Sequence, residues 1–383
     1  MDRITLGHQT LFADLQQQCM DAAFDEQFPE NGSFATKTLK GRKYWYYEGY
    51  QTTSGGRTKA RKYSIYVGPQ SDPEIAKRVE DFRRVKIGYR ARRSLVMSLR
   101  DIGLPTPPAI VGDVVEALWK AGLFRLRGVL VGTLAYQTYA GLLGVRLPSA
   151  SVMTGDVDLA QFHSVSMLVA DTMPPMLETL QSVDKTFREK PHLNARSPTA
   201  YVNETGFTVD FLTPNRGSDD NLGQPTTMPA LGGASAQSLR YLDFLIKGPV
   251  QSVLLHKGGI AVTVPAPERY AVRKLIVSNL RQADSASYAK ARKDAVQSGL
   301  LIEALTLNSR DADLGFAWME AWDRGPRWRK HLTAGRKRLS AEQAGLLRSA
   351  VSVSSGHEAK SLEAKSLADY GFEAEHKAAP ANR

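Results

Sequence analysis

Residues 129–160 read VLVGTLAYQTYAGLLGVRLPSASVMTGDVDLA, and this stretch decides the fold. The first three residues form a short apolar run that is typical of a buried strand, and Gly132 and Thr133 end it. The pattern of residues 134–143 favours a helix, and that of residues 152–160 favours a second strand. The stretch therefore predicts a strand, a helix and a further strand in close succession.

The second predicted strand carries two acidic residues, Asp156 and Asp158. Because side chains alternate along a strand, both carboxylates are expected to project from one face, while Val157 and Leu159 project from the other. Two neighbouring carboxylates repel each other unless a positive charge lies between them. Oxygen ligands of this kind suit Mg²⁺ or Mn²⁺, so the pair predicts a site for a divalent cation.

The order of these features resembles the nucleotidyltransferase fold of the DNA polymerase β superfamily: a strand ending in Gly-Thr, a helix, then a strand with Asp-Val-Asp. Asp210, in the apolar run of residues 207–212, matches the third carboxylate of that superfamily. The resemblance covers residues 128–294 and is to a poorly characterised bacterial nucleotidyltransferase group, with abortive-infection-type toxins as more distant relatives. The sequence departs from the superfamily pattern in two respects. Thr133 stands where Ser or Gly is commoner, and more residues separate Thr133 from Asp156 than in the most compact members.

The resemblance implies an activity and the residues that perform it. Asp156, Asp158 and Asp210 would hold two metal ions, Mg²⁺ or Mn²⁺, that bind a nucleoside triphosphate and activate an acceptor hydroxyl. Gly132 and Thr133 would cradle the β and γ phosphates at the start of the following helix. The implied reaction transfers a nucleoside monophosphate to the acceptor and releases pyrophosphate.

Two further residues are candidates for contact with the nucleotide. Prolines open a helix predicted to end near residue 281, and Lys274 on it matches a helical lysine that reaches the triphosphate in related enzymes. A lysine whose stem packs on the core and whose head lies in water is an equally open interpretation. Residues 213–238 are polar and rich in Gly and Pro, which predicts a long loop over the site with Arg216 as a phosphate contact.

Two other features of this half of the chain carry expectations. Lys290 and Asp294 are four residues apart on a predicted helix, which favours a plain surface ion pair, although the resemblance to toxin-like relatives implies that a basic residue followed by Asp on this helix faces the active cleft. Short strands that extend the catalytic sheet are predicted at residues 242–246, 251–255 and 260–264.

The overall charge of the chain favours an anionic partner. The 383 residues carry a formal net charge of +11, which suits nucleic acid or nucleotides, although a generally basic surface is the alternative. Cys19 is the single cysteine, so an intramolecular disulfide and a cysteine-based metal site are excluded. The N-terminus lacks a leader pattern and no apolar run reaches membrane-spanning length, so a cytoplasmic protein without a membrane partner is expected.

The N-terminal third of the chain concentrates basic residues. Residues 37–69 contain two aromatic, strand-prone runs around a glycine turn, which predicts a hairpin, and residues 72–101 predict a long basic helix. Basic residues interleaved with aromatic ones are typical of surfaces that bind single-stranded nucleic acid, but solvated charges around a small hydrophobic face are equally open. The candidate contacts are Lys40, Arg42, Lys43, Arg61, Arg90 and Arg93.

Together these patterns predict an α+β protein: a nucleotidyltransferase-fold mixed β-sheet flanked by helices, with a basic N-terminal module and a helical C-terminal domain. The predicted division is residues 1–107, 108–264, 265–350 and a flexible tail at 351–383. The favoured acceptor is RNA, such as a tRNA end. The alternatives are a toxin or regulator that nucleotidylates protein, with an antitoxin as its partner, and a catalytically inactive nucleic-acid-binding protein.

Overall fold

Helices and strands alternate irregularly along the chain in a computed structural model, so the protein is an α+β protein, as the sequence predicts. The structure describes residues 1–22, 32–39, 42–51, 61–148, 155–168, 172–191, 198–215, 224–281, 285–358 and 366–372. Among the helices in these ranges, none is long and apolar enough to span a bilayer.

The N-terminal part contains two helices and a small sheet. Helix α1 spans Leu6–Ala22, strands β1 to β3 span Ser33–Leu39, Arg42–Gln51 and Arg61–Pro69, and helix α2 spans Pro73–Asp101. The strands pair antiparallel in chain order, so the predicted hairpin corresponds to β2 and β3 of a three-stranded sheet. Helix α2 begins with proline, which lacks the N–H that a first helical turn leaves unpaired.

A second sheet, of seven strands, lies in the middle of the chain. Its strands are β4 (Val129–Val131), β5 (Asp156–Ala160), β6 (Arg188–Glu189), β7 (Ala200–Val202), β8 (Thr208–Pro214), β9 (Pro225–Thr227) and β10 (Ser235–Leu239). Strand β5 pairs antiparallel with β4 and parallel with β8, and β10 also pairs parallel with β8, so the sheet is mixed. Strands β7 and β8 form the hairpin that their connecting turn predicts.

Helices accompany this sheet in the order that the apolar patterns predict. They are α3 (Ala109–Lys120), α4 (Gly132–Leu142), α5 (His163–Leu168) and α6 (Met176–Gln181). Helix α4 begins directly at the end of β4, so the first helical residues lie at the edge of the sheet. This junction places Gly132 and Thr133 beside the end of strand β5.

Three predictions for residues 213–264 are wrong. Residues 242–246 are not a strand, because Leu242–Leu245 form a short helix, α7, that starts after Tyr241 turns the chain with a φ of +62°. Strands β11 (Val250–Leu254) and β12 (Ile260–Val264) pair with each other in a separate two-stranded sheet and do not extend the central one. The predicted loop at 213–238 contains β9, β10 and a 3₁₀ turn, because short strands among Gly and Pro leave little periodic signal.

The C-terminal part is helical, as predicted. It contains α8 (Pro267–Leu280), α9 (Ser285–Leu307), α10 (Asp311–Asp323), α11 (Pro326–Arg336), α12 (Ala341–Glu358) and a 3₁₀ turn (Leu367–Tyr370). The expectation of a flexible tail from residue 351 is wrong for its described residues. Helix α12 continues to Glu358, and Tyr370 and Phe372 are buried, with the Trp318 Nε1–H donating to the Tyr370 carbonyl at 3.1 Å.

The buried apolar side chains form one continuous core that runs from Ile4 to Phe372. Helix α1 belongs to this core, since Phe12 and Leu15 are buried against it and the Ile4 N–H donates to the Gly144 carbonyl at 2.9 Å. The core therefore shows no break at the predicted boundary after residue 107. The four-part division of the chain stays a prediction.

Candidate active site

Three aspartates project from one face of two neighbouring strands in the central sheet. Strand β5 carries Asp156 and Asp158, and in the parallel register with β8 the partner of Asp158 is Asp210. Val157 and Val209 alternate with them and are buried on the opposite face. Strand β8 has neighbours on both sides, so Asp210 lies within the sheet and not on an edge strand.

These aspartates line a cavity of about 780 Å³ between the sheet and the C-terminal helices. Of the residues predicted to be catalytic or to bind nucleotide, six line it: Gly132, Thr133, Asp156, Asp158, Asp210 and Lys274. The seventh, Arg216, lies outside the described residues. The structure thus brings together residues that are up to 142 positions apart in the sequence, from Gly132 to Lys274.

The environment of Asp158 and Asp210 disfavours their negative charge. Burial, reinforced by the charges of Asp156 and Asp210, raises the pKa of Asp158 from 3.8 to about 6. Burial also raises the pKa of Asp210, although a hydrogen bond with Thr208 opposes the shift. A divalent cation would offset this repulsion, and a donor set made only of carboxylate oxygens fits Mg²⁺ or Mn²⁺.

The junction of β4 and α4 is built closely around Asp158. Gly132 has a φ of +65°, and a Cβ added to it would lie 2.3 Å from Asp158 Oδ2. Its carbonyl accepts a hydrogen bond from the Tyr270 hydroxyl at 2.9 Å. Only glycine combines this backbone conformation with such a close approach to a carboxylate. Thr133 follows in the first turn of α4 with its hydroxyl lining the same cavity.

Basic residues of helices α8 and α9 form the wall opposite the aspartates. Lys274 is buried, and its ammonium lies 2.5 Å from the Asp294 Oδ1, while the Arg281 Nε lies 3.1 Å from Oδ2. The expectation of a surface pair between Lys290 and Asp294 is wrong, because Asp294 is 2% exposed and bonds across to α8. The head of Lys274 is paired with a carboxylate, so the solvated-head interpretation of this lysine is wrong as well.

Two cations of this wall were missed as site residues by sequence reasoning. The Lys293 Nζ donates to the Thr133 Oγ1 at 3.2 Å, and burial lowers its pKa. The Arg273 Nε donates to the Tyr241 carbonyl at 3.2 Å, and burial lowers its pKa too. For Lys293 the available signal was helical spacing, since it lies three residues after Lys290 on α9 and both line the cavity.

The charge of the cavity lining is strongly mixed. Seven basic side chains line it: Arg240, Arg273, Lys274, Arg281, Lys290, Lys293 and Arg327. Four acidic side chains line it: Asp156, Asp158, Asp210 and Asp294. Such a cavity suits a polyanion at the basic wall and cations at the aspartates.

A different group of side chains, outside this cavity, has metal-ligand spacing. Within the described residues, the only three acidic or histidine side chains whose ligand atoms all lie within 4.8 Å are Asp113, Glu116 and His256. The Lys257 ammonium already lies 2.6 Å from each of the two carboxylates. A hydrogen bond with His256, together with Lys257, lowers the pKa of Asp113 to about 2. This cluster ties the β11–β12 turn to helix α3.

The predicted nucleic-acid contacts lie on the N-terminal elements and do not line the cavity. Arg42 and Lys43 are exposed on β2, and Arg90 and Arg93 are exposed on α2. Strand β3 begins with Arg61. The side chain of Arg61 and the residue Lys40 lie outside the part of the chain that the structure describes. Buried Trp45 and Tyr47 alternate with half-buried Tyr44 and Tyr46, so the sheet has a hydrophobic face and a partly open aromatic face.

Comparisons with known proteins identify one family. A search of curated proteins found no match, and a search of solved structures found none either. A family model described as Nucleotidyltransferase matches residues 109–323, which is more than half of the chain. The matched segment contains the three aspartates, the Gly132–Thr133 junction and the cations of α8 and α9. The chain belongs to this nucleotidyltransferase family.

Proposed function

We propose that the protein is a metal-dependent enzyme that transfers a nucleoside monophosphate from a nucleoside triphosphate to an acceptor hydroxyl, with RNA as the favoured acceptor. The observation that carries the proposal is the cavity in which three aspartates on β5 and β8 face a wall of basic side chains. The same arrangement supports placing the fold in the DNA polymerase β superfamily. The three aspartates and the Gly132–Thr133 junction lie within residues 108–264, the predicted catalytic domain, whereas the basic wall comes from α8 and α9 beyond it.

Asp156, Asp158 and Asp210 are the residues that would hold the metal ions. Bound Mg²⁺ or Mn²⁺ would neutralise the phosphates and lower the pKa of the acceptor hydroxyl. The three carboxylates do not all approach within 4.8 Å of one another. To hold one shared ion, the three carboxylates would have to move closer together than they lie here.

The chain's own residues bind and orient the triphosphate. Gly132 and Thr133 line the cavity at the start of α4, and the backbone N–H groups there and the Thr133 hydroxyl would receive phosphate oxygens. Lys293 is already held on Thr133 and would add a positive charge beside them. Asp294 fixes Lys274 and Arg281 in the opposite wall, so that these cations are arranged before the nucleotide arrives.

The chemistry exchanges one bond of the α-phosphorus for another. The acceptor oxygen forms a new bond to the α-phosphorus, and the bond to the leaving pyrophosphate breaks. We assign the departing hydroxyl proton to the Asp210 carboxylate, which lies on β8 directly beside Asp158 of β5. The cations of α8 and α9 would stabilise the charge that develops on pyrophosphate.

The test is transfer of label from each α-labelled nucleoside triphosphate, with Mg²⁺ or Mn²⁺, to total RNA or to cell protein. Wild-type protein is compared with Asp156→Ala and with Asp101→Ala, whose side chain is 64% exposed on α2. We expect label on RNA with wild type and Asp101→Ala, and a loss of at least a thousandfold with Asp156→Ala. Substantial transfer by Asp156→Ala would refute the assignment.

The acceptor is decided by where the label appears. Label on protein, insensitive to neutralisation of Arg42 and Lys43, would favour the toxin or regulator alternative. Nucleotide binding without any transfer would favour a nucleic-acid-binding protein that has lost catalysis. Neutralising the basic N-terminal residues should weaken RNA binding and flatten its dependence on salt if RNA is the acceptor.

A further inference from the structure

A second groove, of about 310 Å³, adjoins the cavity that holds the aspartates. Three residues, Arg240, Tyr241 and Arg327, line both spaces. They come from the end of β10, the start of α7 and the first turn of α11. The groove and the cavity therefore share a wall, and a long ligand in the groove would reach the cavity along it.

The lining of this groove is basic. Arg240, Arg324 and Arg327 contribute positive charges, and Asp243 is the acidic residue among the described lining. Arg324 and Asp243 neutralise each other at 2.6 Å, and Arg324 also lies 2.9 Å from Glu320, so Arg240 and Arg327 supply the excess positive charge of the lining. A groove with this charge favours an anionic ligand.

The groove also presents an aromatic ring in a fixed position. Trp328 is half-buried, and it packs edge-on against Tyr241, with ring centroids 4.6 Å apart, and against Phe244 at 5.7 Å. The Arg324 guanidinium lies 4.9 Å from the Trp328 ring centroid and adds a cation–π contact. A rigid aromatic ring between arginines is the combination that single-stranded nucleic acid uses, through base stacking and phosphate pairing.

We propose that this groove binds the single-stranded end of a nucleic-acid acceptor and leads its terminal hydroxyl to the aspartates. Arg240 and Arg327 contact backbone phosphates, and Trp328 contacts a base. The inference rests on the proposed function and adds the path by which the acceptor reaches the cavity. It also gives helix α11 a direct part in acceptor recognition, in addition to the part proposed for the basic N-terminal residues.

Binding of a fluorescent 12-nucleotide single-stranded RNA tests the proposal, with anisotropy measured at several KCl concentrations. The Arg240→Ala/Arg327→Ala variant is compared with Lys330→Ala/Lys337→Ala, which removes the same charge from α11 at exposed positions that line neither space. We expect the arginine variant to bind at least tenfold more weakly. The slope of log affinity against log salt should fall by about 1.4, or 0.7 for each lost phosphate contact. The lysine variant should stay within about threefold of wild type.

A parallel titration with each Mg²⁺–nucleoside triphosphate separates failure of this inference from failure of the proposed function. Because Arg240 and Arg327 also line the catalytic cavity, the groove is supported if the arginine variant loses clearly more affinity for RNA than for nucleotide. Equal RNA binding by both variants overturns it, and so does a loss of nucleotide affinity without a loss of RNA affinity. The proposal is also overturned if label is transferred to protein and excess oligonucleotide does not inhibit that transfer. If the wild-type protein binds RNA through these arginines but binds no nucleotide, the proposed function is refuted and the groove proposal is not.

The Trp328→Phe variant provides a second measurement that does not depend on charge. It keeps a ring against Tyr241 and Phe244 while reducing the stacking surface. We expect RNA affinity to fall about threefold to tenfold with an unchanged salt slope, because the phosphate contacts remain. An unchanged affinity would remove the aromatic part of the proposal.

Discussion

At the scale of single residues, Gly132 is the most tightly constrained position in the cavity. A methyl group there would lie 2.3 Å from Asp158 Oδ2, and the φ of +65° disfavours any other residue. Gly155 lines the same cavity, but a Cβ added to it has nothing within 4 Å. These two glycines therefore form a matched pair for substitution.

We expect Gly132→Ala to lower transfer activity at least a hundredfold, because Asp158 must move to accommodate the methyl group. Gly155→Ala should keep activity within about threefold of wild type. Label transfer under identical conditions measures both, and circular dichroism checks that each variant folds. Equal activity of the two variants would contradict the close approach seen here.

Asp158 makes the metal-free protein less stable at neutral pH. Its pKa is raised from 3.8 to about 6, so the folded state favours the protonated carboxyl. Its contribution to stability is fully present below pH 3.8 and is lost as the pH rises through 6. Asp158→Asn should therefore raise the free energy of unfolding at pH 7.5 by up to about 3 kcal/mol while abolishing transfer.

Urea denaturation in EDTA at pH 7.5 and pH 4.5 measures this effect. The gain should be largest at pH 7.5 and should shrink at pH 4.5, where the wild-type carboxyl is mostly protonated in the folded state. Addition of Mg²⁺ should stabilise the wild type and not the variant. A gain of the same size at both pH values would contradict the assigned cause.

At the scale of secondary-structure elements, helix α8 supports the β4–α4 junction through one hydroxyl. The Tyr270 hydroxyl donates to the Gly132 carbonyl at 2.9 Å, and burial raises its pKa well above the ordinary value. A second buried tyrosine, Tyr139, donates to the Pro265 carbonyl at 2.8 Å, away from the aspartates. Each hydroxyl is buried and donates to a backbone carbonyl, so its removal loses one buried hydrogen bond.

Tyr270→Phe and Tyr139→Phe should each lower the free energy of unfolding by about 1–3 kcal/mol. Transfer activity should fall about tenfold or more in Tyr270→Phe alone, because only that hydroxyl holds the junction beside the aspartates. Thermal denaturation and steady-state kinetics measure the two effects separately. An equal loss of activity in both variants would show that the effect is on general stability.

The sequence reveals elements that have strong local signals. Pro73 and Pro267 mark the starts of two helices, and the alternation around Asp156 and Asp158 places both on one face of a strand. Residues 242–246 were misassigned because Leu, Phe and Ile suit strand and helix alike in so short a run. The helical outcome depends on Tyr241 turning the chain, which periodicity does not report.

At the scale of the whole molecule, the N-terminal helix is part of the fold that carries the site. A Cβ added to Gly141 would lie 2.1 Å from the Phe12 ring, so α1 packs directly on the helix that begins at Gly132. On α1 itself, Leu15 is completely buried, whereas Leu6 is 77% exposed. Leu15→Ala should lower the free energy of unfolding by about 2–5 kcal/mol, and Leu6→Ala by less than about 0.5 kcal/mol.

Denaturation by urea measures these two variants, and a chain that starts at residue 108 extends the test. That chain loses the burial of Ile4, Phe12 and Leu15, which together contribute about 5 kcal/mol or more. This is close to the entire stability of an ordinary domain, so we expect it not to fold. A cooperative unfolding transition in the shortened chain would support residue 107 as a true domain boundary.

The positions of the cations could not be predicted because they depend on contacts between distant parts of the chain. Lys293 reaches Thr133 across 160 residues of sequence, and Lys274 meets Asp294 between two helices. The net charge of +11 predicts an anionic partner without indicating which face receives it. The groove beside Trp328 became apparent only when α7 and α11 were seen together.

The packing of Phe12 on Gly141 bears on what the matched segment needs from the rest of the chain. The family model begins at residue 109, yet the recess over Gly141 is filled by a side chain that precedes it. Cutting the chain at the start of the matched segment would therefore uncover an apolar recess on the helix that carries Gly132 and Thr133.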